Sequence, residues 1–433
     1  MSNKSIGVGL MGLGVIGGQT AKVLLERADR LAEQAGCPVV LRRVKVLEAD
    51  LSRPQAQAMD CNLFTTDEEE FFNTPDMDIV IELIGGENPA LSYQKRALAE
   101  GKHIVTANKE VIAKYGVELM SLARENGVSL RYEAAVGGGI PLIAPFQRDL
   151  LANEIEGIYA IINGTTNYIL TSMSQQGTDF ETALKKAQEL GYAETNPEND
   201  VEGYDAAYKL AILASLAFHS QIRPADIYCQ GITKLSSRDF RYADELGYAI
   251  KLLAIAKQYD SSIEARVHPV FIPKNYFLAK VDGVYNAVLV DGDLAGKVTF
   301  TGKGAGPLPT SSAVVADLVS AARQIISGAG CSAEWEPQTG KQIKPMADIE
   351  TRYYMRMKIT DQAGVLAQIA QVLGEGGISI ASAIQQEADE KSQTAEIVIM
   401  THPAREQAAQ QALADLEGLE VVSEINNAIR VEE

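Results

Sequence analysis

Two charged side chains in one otherwise apolar stretch are the first sign of chemistry in this chain. Residues 191–220 read GYAETNPENDVEGYDAAYKLAILASLAFHS. From Ala206 to Phe218 the run is apolar on nearly every face, the pattern of a helix buried all round. Asp205 and Lys209 are four apart and share one helix face. Ahead of them, a polar run with Glu194, Glu198, Asp200 and Glu202 is broken by Pro197. A buried helix that opens with an acid, a lysine and a carboxylate-rich loop reads as the floor of a polar pocket. The plainer alternative is an i,i+4 ion pair on an exposed first turn, which contributes about 0.3–0.5 kcal/mol.

Something must place those groups beside a reactant, and the N-terminal pattern offers it. Residues 5–11 read as a short buried strand that runs into Gly12, Leu13, Gly14, Val15, Ile16 and Gly17, then a helix over 19–35. This is GxGxxG after a strand and before a helix, the context in which glycines let a backbone approach a pyrophosphate at a helix N-terminus. A purely structural strand–helix turn is the alternative. A second strand over 39–47 is followed by Glu48, Ala49 and Asp50. An acid there bonds the ribose hydroxyls of NAD, while Arg42, Arg43, Lys45 and Arg53 could meet the 2′-phosphate of NADP, so both cofactors stay open. Strands over 78–84 and 103–107 follow, the first ending in Gly85-Gly86 and the second in Asn108-Lys109. Ligands bind at the carboxyl ends of such strands, so Lys109 either reaches nicotinamide or substrate or merely starts the next helix. Helices over 93–100 and 117–126 and a strand over 128–133 complete a parallel β/α pattern.

Beyond it, EAAVGGGIP at 133–141 has three consecutive glycines that can face a ligand or ion, or simply cross between domains. NGTTN at 163–167 has hydroxyls and amides suited to a small polar substrate, although such clusters are also ordinary caps and turns. Strands are expected over 264–271 and 286–289. A second glycine-rich loop, VTFTGKGAGP at 298–307, leads into a helix over 310–327. Composition narrows the field. The 433 residues suffice for two or three domains, and a net charge of −18 argues against nucleic acid as a partner, since phosphate binding needs a basic patch. Cys37, Cys61, Cys229 and Cys331 are scattered, so neither a disulfide framework nor a zinc site is expected. No leader and no apolar run of about 18 residues is found, so no membrane span and a cytoplasmic protein are expected.

TANKEVIA at 106–113, EAAVGGGIP, NGTTNYIL and GYAETNPENDVEGYDAAYKLAIL resemble homoserine dehydrogenase, in order, through about the first 330 residues. The resemblance implies reversible reduction of L-aspartate 4-semialdehyde to L-homoserine with NADH or NADPH, on the way to threonine, methionine and isoleucine. It implies Lys209 as the acid/base lysine, with Asp205 as its catalytic partner and Lys109 beside cofactor and substrate. Glu194, Asp200 and Thr165 would hold substrate, and Gly304 would lie near the nicotinamide. A monovalent cation such as sodium would sit in the 133–140 turn on Glu133, Val136, Gly138 and Ile140, largely through carbonyls. The helix over 307–327 would complete the cofactor domain (1–135), and 136–306 would form an α+β substrate domain that pairs chains into a homodimer or homotetramer. The family often has arginine where this chain has Ala49, which weakens a strict preference for NADP. With the cofactor strand starting at Ser5, no aspartokinase segment is expected in front.

Residues 328–349 are rich in Gly, Pro and charge and read as a linker. The remainder, 350–433, reads βαββαβ, a ferredoxin-like order, with Pro403 expected at the first position of a helix over 404–416. Its DQAGVL and GGISIAS resemble the ACT domain, a module that binds small amino acids. The resemblance implies an effector site bordered by Asp361, Gly364, Val365, Ile378 and Ile380, with L-threonine as the inhibitor. Use of the module for oligomer contacts alone is the alternative. Loss of inhibition on cutting the chain near Pro345 is the expected behaviour.

The chemistry also fits the residues themselves. Aldehyde reduction needs a hydride and a proton for the new alkoxide. The four histidines, His103, His219, His268 and His402, lie in no motif with an acid partner, which leaves a lysine as the better donor. Burial would lower its proton affinity and a nearby carboxylate would raise it. Two other readings compete: a reductase of a different semialdehyde, and a non-catalytic amino-acid sensor, which would require a lost acid/base residue.

Overall fold

Six strands, all parallel, make the first sheet in the order Phe64–Thr65, Val39–Lys45, Ile6–Met11, Ile79–Glu82, His103–Thr106, Leu130–Arg131. Strand order reverses beside Ile6–Met11, and ligands bind at the carboxyl ends around such a point. Both faces are covered. Ile6, Val8 and Leu10 pack with Ala21, Leu24 and Leu31 from one side of the sequence and Val314, Leu318 and Ala321 from far along it. The last three lie on helix Pro307–Ser327, which therefore belongs to this core. The expected single helix after the glycine turn is two, Val15–Glu26 and Ala28–Ala35, joined at Arg27. The protein is described here by a computed structural model covering residues 5–329, 341–389 and 393–432. Cys331 and residues 330–340 of the expected linker lie outside that range.

The chain divides into two units, one of residues 1–155, 208–224 and 290–340, the other of 156–207, 225–289 and 341–433. The second is built on a mixed sheet. Tyr248–Gln258 and Ser262–Pro273 form a long antiparallel pair, and Ile155–Ile161 lies against the outer edge of the first. On the other edge Ser262–Pro273 runs parallel to Val422–Val431, with Val270 opposite Arg430 and Phe271 opposite Val431. From there the sheet continues through Glu350–Thr360, Thr394–Thr401 and Ile380–Asp389. With helices Val365–Glu375 and Glu406–Glu417 these strands give the βαββαβ order.

The C-terminal module is thus sewn into the substrate domain's sheet rather than hung from a linker. Part of that linker is itself a strand, Gln342–Ile343, paired to Ser262 and Ile263. Buried charges close the seam. Arg356 Nε lies 2.8 Å from Asp239 Oδ1 and Nη1 2.8 Å from Glu396 Oε2, all three residues buried. Arg266 pairs with Glu432 and with Glu264, and Arg430 with Glu406, again all buried. Cutting near Pro345 would strip a sheet edge and take Arg356 from Asp239 and Glu432 from Arg266, so it is not a clean test of regulation. Pro403 does not open a helix: Ala404–Arg405 pairs with Thr351 and Glu350 first, and the helix starts at Glu406.

Candidate active site

At the end of the first strand Gly12 turns with φ +92°, a conformation side chains rarely take. A Cβ on Gly12 would lie 2.8 Å from the Leu83 carbonyl oxygen, and one on Gly17 2.0 Å from that of Gly12. Packing demands both glycines. Gly14 is different, because a Cβ there meets nothing within 4 Å. The space it leaves lies over the N-terminus of helix Val15–Glu26, whose first turn has no acid and whose end has no side-chain cap. Its amide donors remain available to an external anion, and a pyrophosphate fits that cradle. Leu13 is buried beneath the turn, Ile16 is half-buried and Val15 is exposed.

Asn108 and Lys109 follow strand His103–Thr106 at the same end of the sheet. The Asn108 side chain accepts the Val111 N–H at 3.1 Å and caps helix Lys109–Glu125, of which half-buried Lys109 is the first residue. This helix packs on the 208–216 segment, since Ile112, Gly116 and Met120 line one narrow cavity with Ala211, Ile212 and Ser215. Lys114 Nζ stands 5.8 Å from the Tyr208 ring centre and pairs with Glu110 at 2.7 Å and Glu87 at 2.9 Å. Those carboxylates, Glu110 first, hold its ammonium above the ordinary lysine range. Lys109 and Lys209 therefore lie on two helices packed in one unit.

The two glycine-rich loops also meet in this unit. Gly138, at φ +55°, comes so close that a Cβ on it would lie 2.6 Å from the Gly304 carbonyl oxygen. The turn brings Glu133 under the next short helix. Its Oε1 accepts the N–H groups of Leu142 at 2.6 Å and Ile143 at 2.8 Å, and its Oε2 that of Ala144 at 2.8 Å. The carboxylate is thus engaged by backbone amides. What remains for a cation at Glu133, Val136, Gly138 and Ile140 is carbonyl oxygen, and no cluster of three His, Cys, Asp or Glu able to hold a metal occurs among the described residues.

In the second unit the acids gather on one amide. Asn163 Nδ2 donates to Asp200 Oδ1 at 2.6 Å and to Asp205 Oδ2 at 2.8 Å. Its Oδ1 accepts the Thr166 N–H at 2.8 Å, capping helix Gly164–Gln176. Asn163 and Asp205 are buried and Asp200 is half-buried. Asn163 thus takes the capping alternative open to the NGTTN cluster, as an asparagine directly before a helical run commonly does, and adds a grip on two acids that its position in the sequence does not signal. Thr165 is buried with its hydroxyl donated to the Tyr192 carbonyl at 2.7 Å, and Glu194 is exposed on the same loop. Helix Tyr204–Ala217 carries Asp205 and, one turn on, half-buried Lys209. The residues behind them are core, with Leu210, Leu213 and Ala214 fully buried. In the C-terminal module Asp361 and Gly364 are exposed at a turn, Ile380 is half-buried, and Val365 and Ile378 are core residues.

A cradle shaped for a pyrophosphate, on a parallel sheet whose ligand end also carries a lysine, makes the first unit that of a nicotinamide-dependent dehydrogenase. Comparison with known proteins narrows the class. Residues 12–133 match the profile described as "Homoserine dehydrogenase, NAD binding domain", residues 141–319 "Homoserine dehydrogenase", and residues 353–421 "ACT domain". Homoserine dehydrogenases of Pseudomonas aeruginosa and Neisseria gonorrhoeae are 43% and 42% identical, each comparison covering 99% of both chains. The crystal structure of a homoserine dehydrogenase from Thiobacillus denitrificans superposes with a TM-score of 0.92 at 42% identity, over 99% of both chains. A hyperthermophilic archaeal homoserine dehydrogenase mutant, solved in complex with NADPH, matches at TM-score 0.63 and 26% identity over 73% of this chain and 98% of that one. The chain belongs to the homoserine dehydrogenase family and is an oxidoreductase with an ACT module. Among the described residues no helix is long and apolar enough to cross a membrane.

Proposed function

We propose that this chain reduces L-aspartate 4-semialdehyde to L-homoserine, and runs the reverse oxidation, with Lys209 as the proton donor and acceptor. The observation that carries the reading is the Asn163 amide holding Asp200 and Asp205 together one helical turn from Lys209. A bound NAD(P)H supplies the hydride. Asp200, Glu194 and Thr165 bind the amino-acid end of the substrate, the last through its hydroxyl oxygen. Lys109 orients the carbonyl, Lys209 gives a proton to its oxygen as the carbon is reduced, and Asp205 holds the ammonium in place. Lys209→Ala is expected to lower kcat by about 10²–10⁴-fold. A near-normal kcat with cofactor and substrate still bound would remove Lys209 from the mechanism.

NADPH is the preferred donor in this reading. Asp50, which could have served a ribose hydroxyl, accepts the Leu47 N–H at 3.2 Å and Arg53 Nε at 2.6 Å. Arg53 is half-exposed and stands in for the arginine absent at Ala49. A monovalent cation in the 133–140 turn is proposed on carbonyls alone, because neutral oxygens compensate a single charge more readily than two. L-threonine is proposed as the effector at Asp361, Gly364 and Ile380, with Val365 and Ile378 supporting the site from the core. The working form is a cytoplasmic homodimer or homotetramer. One assay tests cofactor and effector together: semialdehyde reduction with NADH and NADPH in parallel, with and without threonine, on the intact chain and on Asp361→Ala. Inhibition that Asp361→Ala leaves unchanged would place threonine elsewhere.

A further inference from the structure

Strand Ile79–Glu82 ends, at its ligand-binding edge, in a carboxylate that the reading above does not use. Glu82 is wholly buried, opposite Met11 in the sheet and therefore next to the glycine turn. Burial pushes its carboxyl up, while hydrogen bonds from Thr106, Ile84 and Gln94 pull the other way. Among the described residues no lysine or arginine pairs with it. Instead Oε1 accepts the Ile84 N–H at 2.6 Å, and Oε2 accepts Gln94 Nε2 at 2.6 Å and Thr106 Oγ1 at 2.7 Å.

The donors are fixed in sense. Thr106 Oγ1 accepts the Asn108 N–H at 3.0 Å and Gln94 Nε2 at 3.3 Å, which leaves its own hydrogen for Glu82. The network is complete with an ionised acid, which only accepts. It runs onward, because Asn108 Nδ2 donates to the Gly86 carbonyl at 2.7 Å while Asn108 Oδ1 caps the helix that begins at Lys109. Glu82 thus holds both ends of the 83–86 segment, one through Ile84 and the other through Thr106 and Asn108. That segment leans on the glycine turn, where the Leu83 carbonyl forbids a side chain on Gly12. Desolvating a carboxylate is costly, and a neutral hydroxyl or amide could cap a loop without that cost.

We propose that Glu82 is a positioning residue for the reaction, setting the place of Lys109 through Thr106 and Asn108. The inference rests on the role given to Lys109 above. The test is a double-mutant cycle in the full chain with Glu82→Gln and Lys109→Ala, and a second cycle with Thr106→Val, which keeps shape and removes the relay hydroxyl. Glu82→Gln offers an amide to groups that all donate. Its kcat is expected to fall by about 100-fold, the cost of a small misplacement, while the Kd for NADPH changes by less than about threefold. In the Lys109→Ala background neither Glu82→Gln nor Thr106→Val should lower kcat further, since each acts through that lysine. Losses that multiply, or a normal kcat in both single variants, would overturn the proposal, and if Glu82→Gln does not fold the Thr106→Val cycle decides. A normal kcat for Lys109→Ala would overturn the site reading itself, whatever Glu82 does.

Discussion

The two units are stabilised by different means. In the dinucleotide unit the core is aliphatic, with Ile6, Val8, Leu10, Val44 and Ile79 from the sheet and Val314 and Leu318 from the returning helix. In the second unit the ACT module has an aliphatic core of its own, Ile359, Ile369, Ile397 and Leu416 among others, but its seam with the substrate domain adds buried ion pairs to the stacked rings of Phe271 and Tyr354. Arg356, Asp239 and Glu396, then Arg430 and Glu406, then Arg266, Glu264 and Glu432 are buried there. An aliphatic core tolerates many arrangements of similar volume, whereas a buried ion pair is satisfied only in one register. The cofactor half needs a firm platform. The seam fixes how the C-terminal module is joined to the substrate sheet.

Breaking the seam should give the largest stability effect. Arg356→Met leaves Asp239 and Glu396 buried without their shared cation, a loss of about 3–5 kcal/mol. Leu318→Ala, in the aliphatic core, should cost about 2–5 kcal/mol, depending on how far the cavity collapses. Urea unfolding of both variants distinguishes the regions by pH as well as by size, because only the first loss depends on ionisation. If Arg356→Met were no more destabilising than an exposed substitution, the seam would be loose and the contrast between the units would fail.

The two halves also differ in how much of them can be read from residues alone. The glycine turn and the alternating β/α order are local signals, and each lies where its pattern places it. Tyr248–Gln258 was not anticipated as a strand: Ile250 to Ala256 is buried without a break, so no polar alternation marks it. Ser237–Glu245 looks too polar for a core helix, yet it buries Asp239, whose partner Arg356 is 117 residues away. No single sequence reveals that pairing. Asp205 and Lys209 were legible because four-residue spacing fixes a shared helix face. The grip of Asn163 on Asp200 and Asp205 was not, since it depends on a loop folding back over 37 and 42 residues.

A smaller effect follows from titration. Burial raises the Glu406 carboxyl, but the hydrogen bonds and charge of Arg430 outweigh it and hold the group below the usual carboxylate range. An acid depressed in the folded state stabilises fully above its unfolded pKa, and the contribution is lost as pH falls through the folded value. Glu406→Gln should therefore be most destabilised relative to the parent at neutral pH, and the gap in urea midpoint should narrow below about pH 4. A gap independent of pH would mean that packing, not charge, is what Glu406 contributes.

The smallest effect on folding should come from the cofactor cradle. Gly14 has φ −66°, open to any residue, and a Cβ there points into free space. Gly14→Ala should change stability by less than about 0.5 kcal/mol, as substitutions that disturb no packing usually do. The same methyl group stands where the pyrophosphate is expected, so the KM for NADPH should rise by about tenfold or more. Gly17→Ala makes the opposite demand, since its Cβ would press on the Gly12 carbonyl and the turn itself must shift. One methyl group, moved three residues along the same loop, should thus pass from a binding defect to a folding defect. Equal effects of the two substitutions on stability would show that the space over Gly14 is not held open for a ligand.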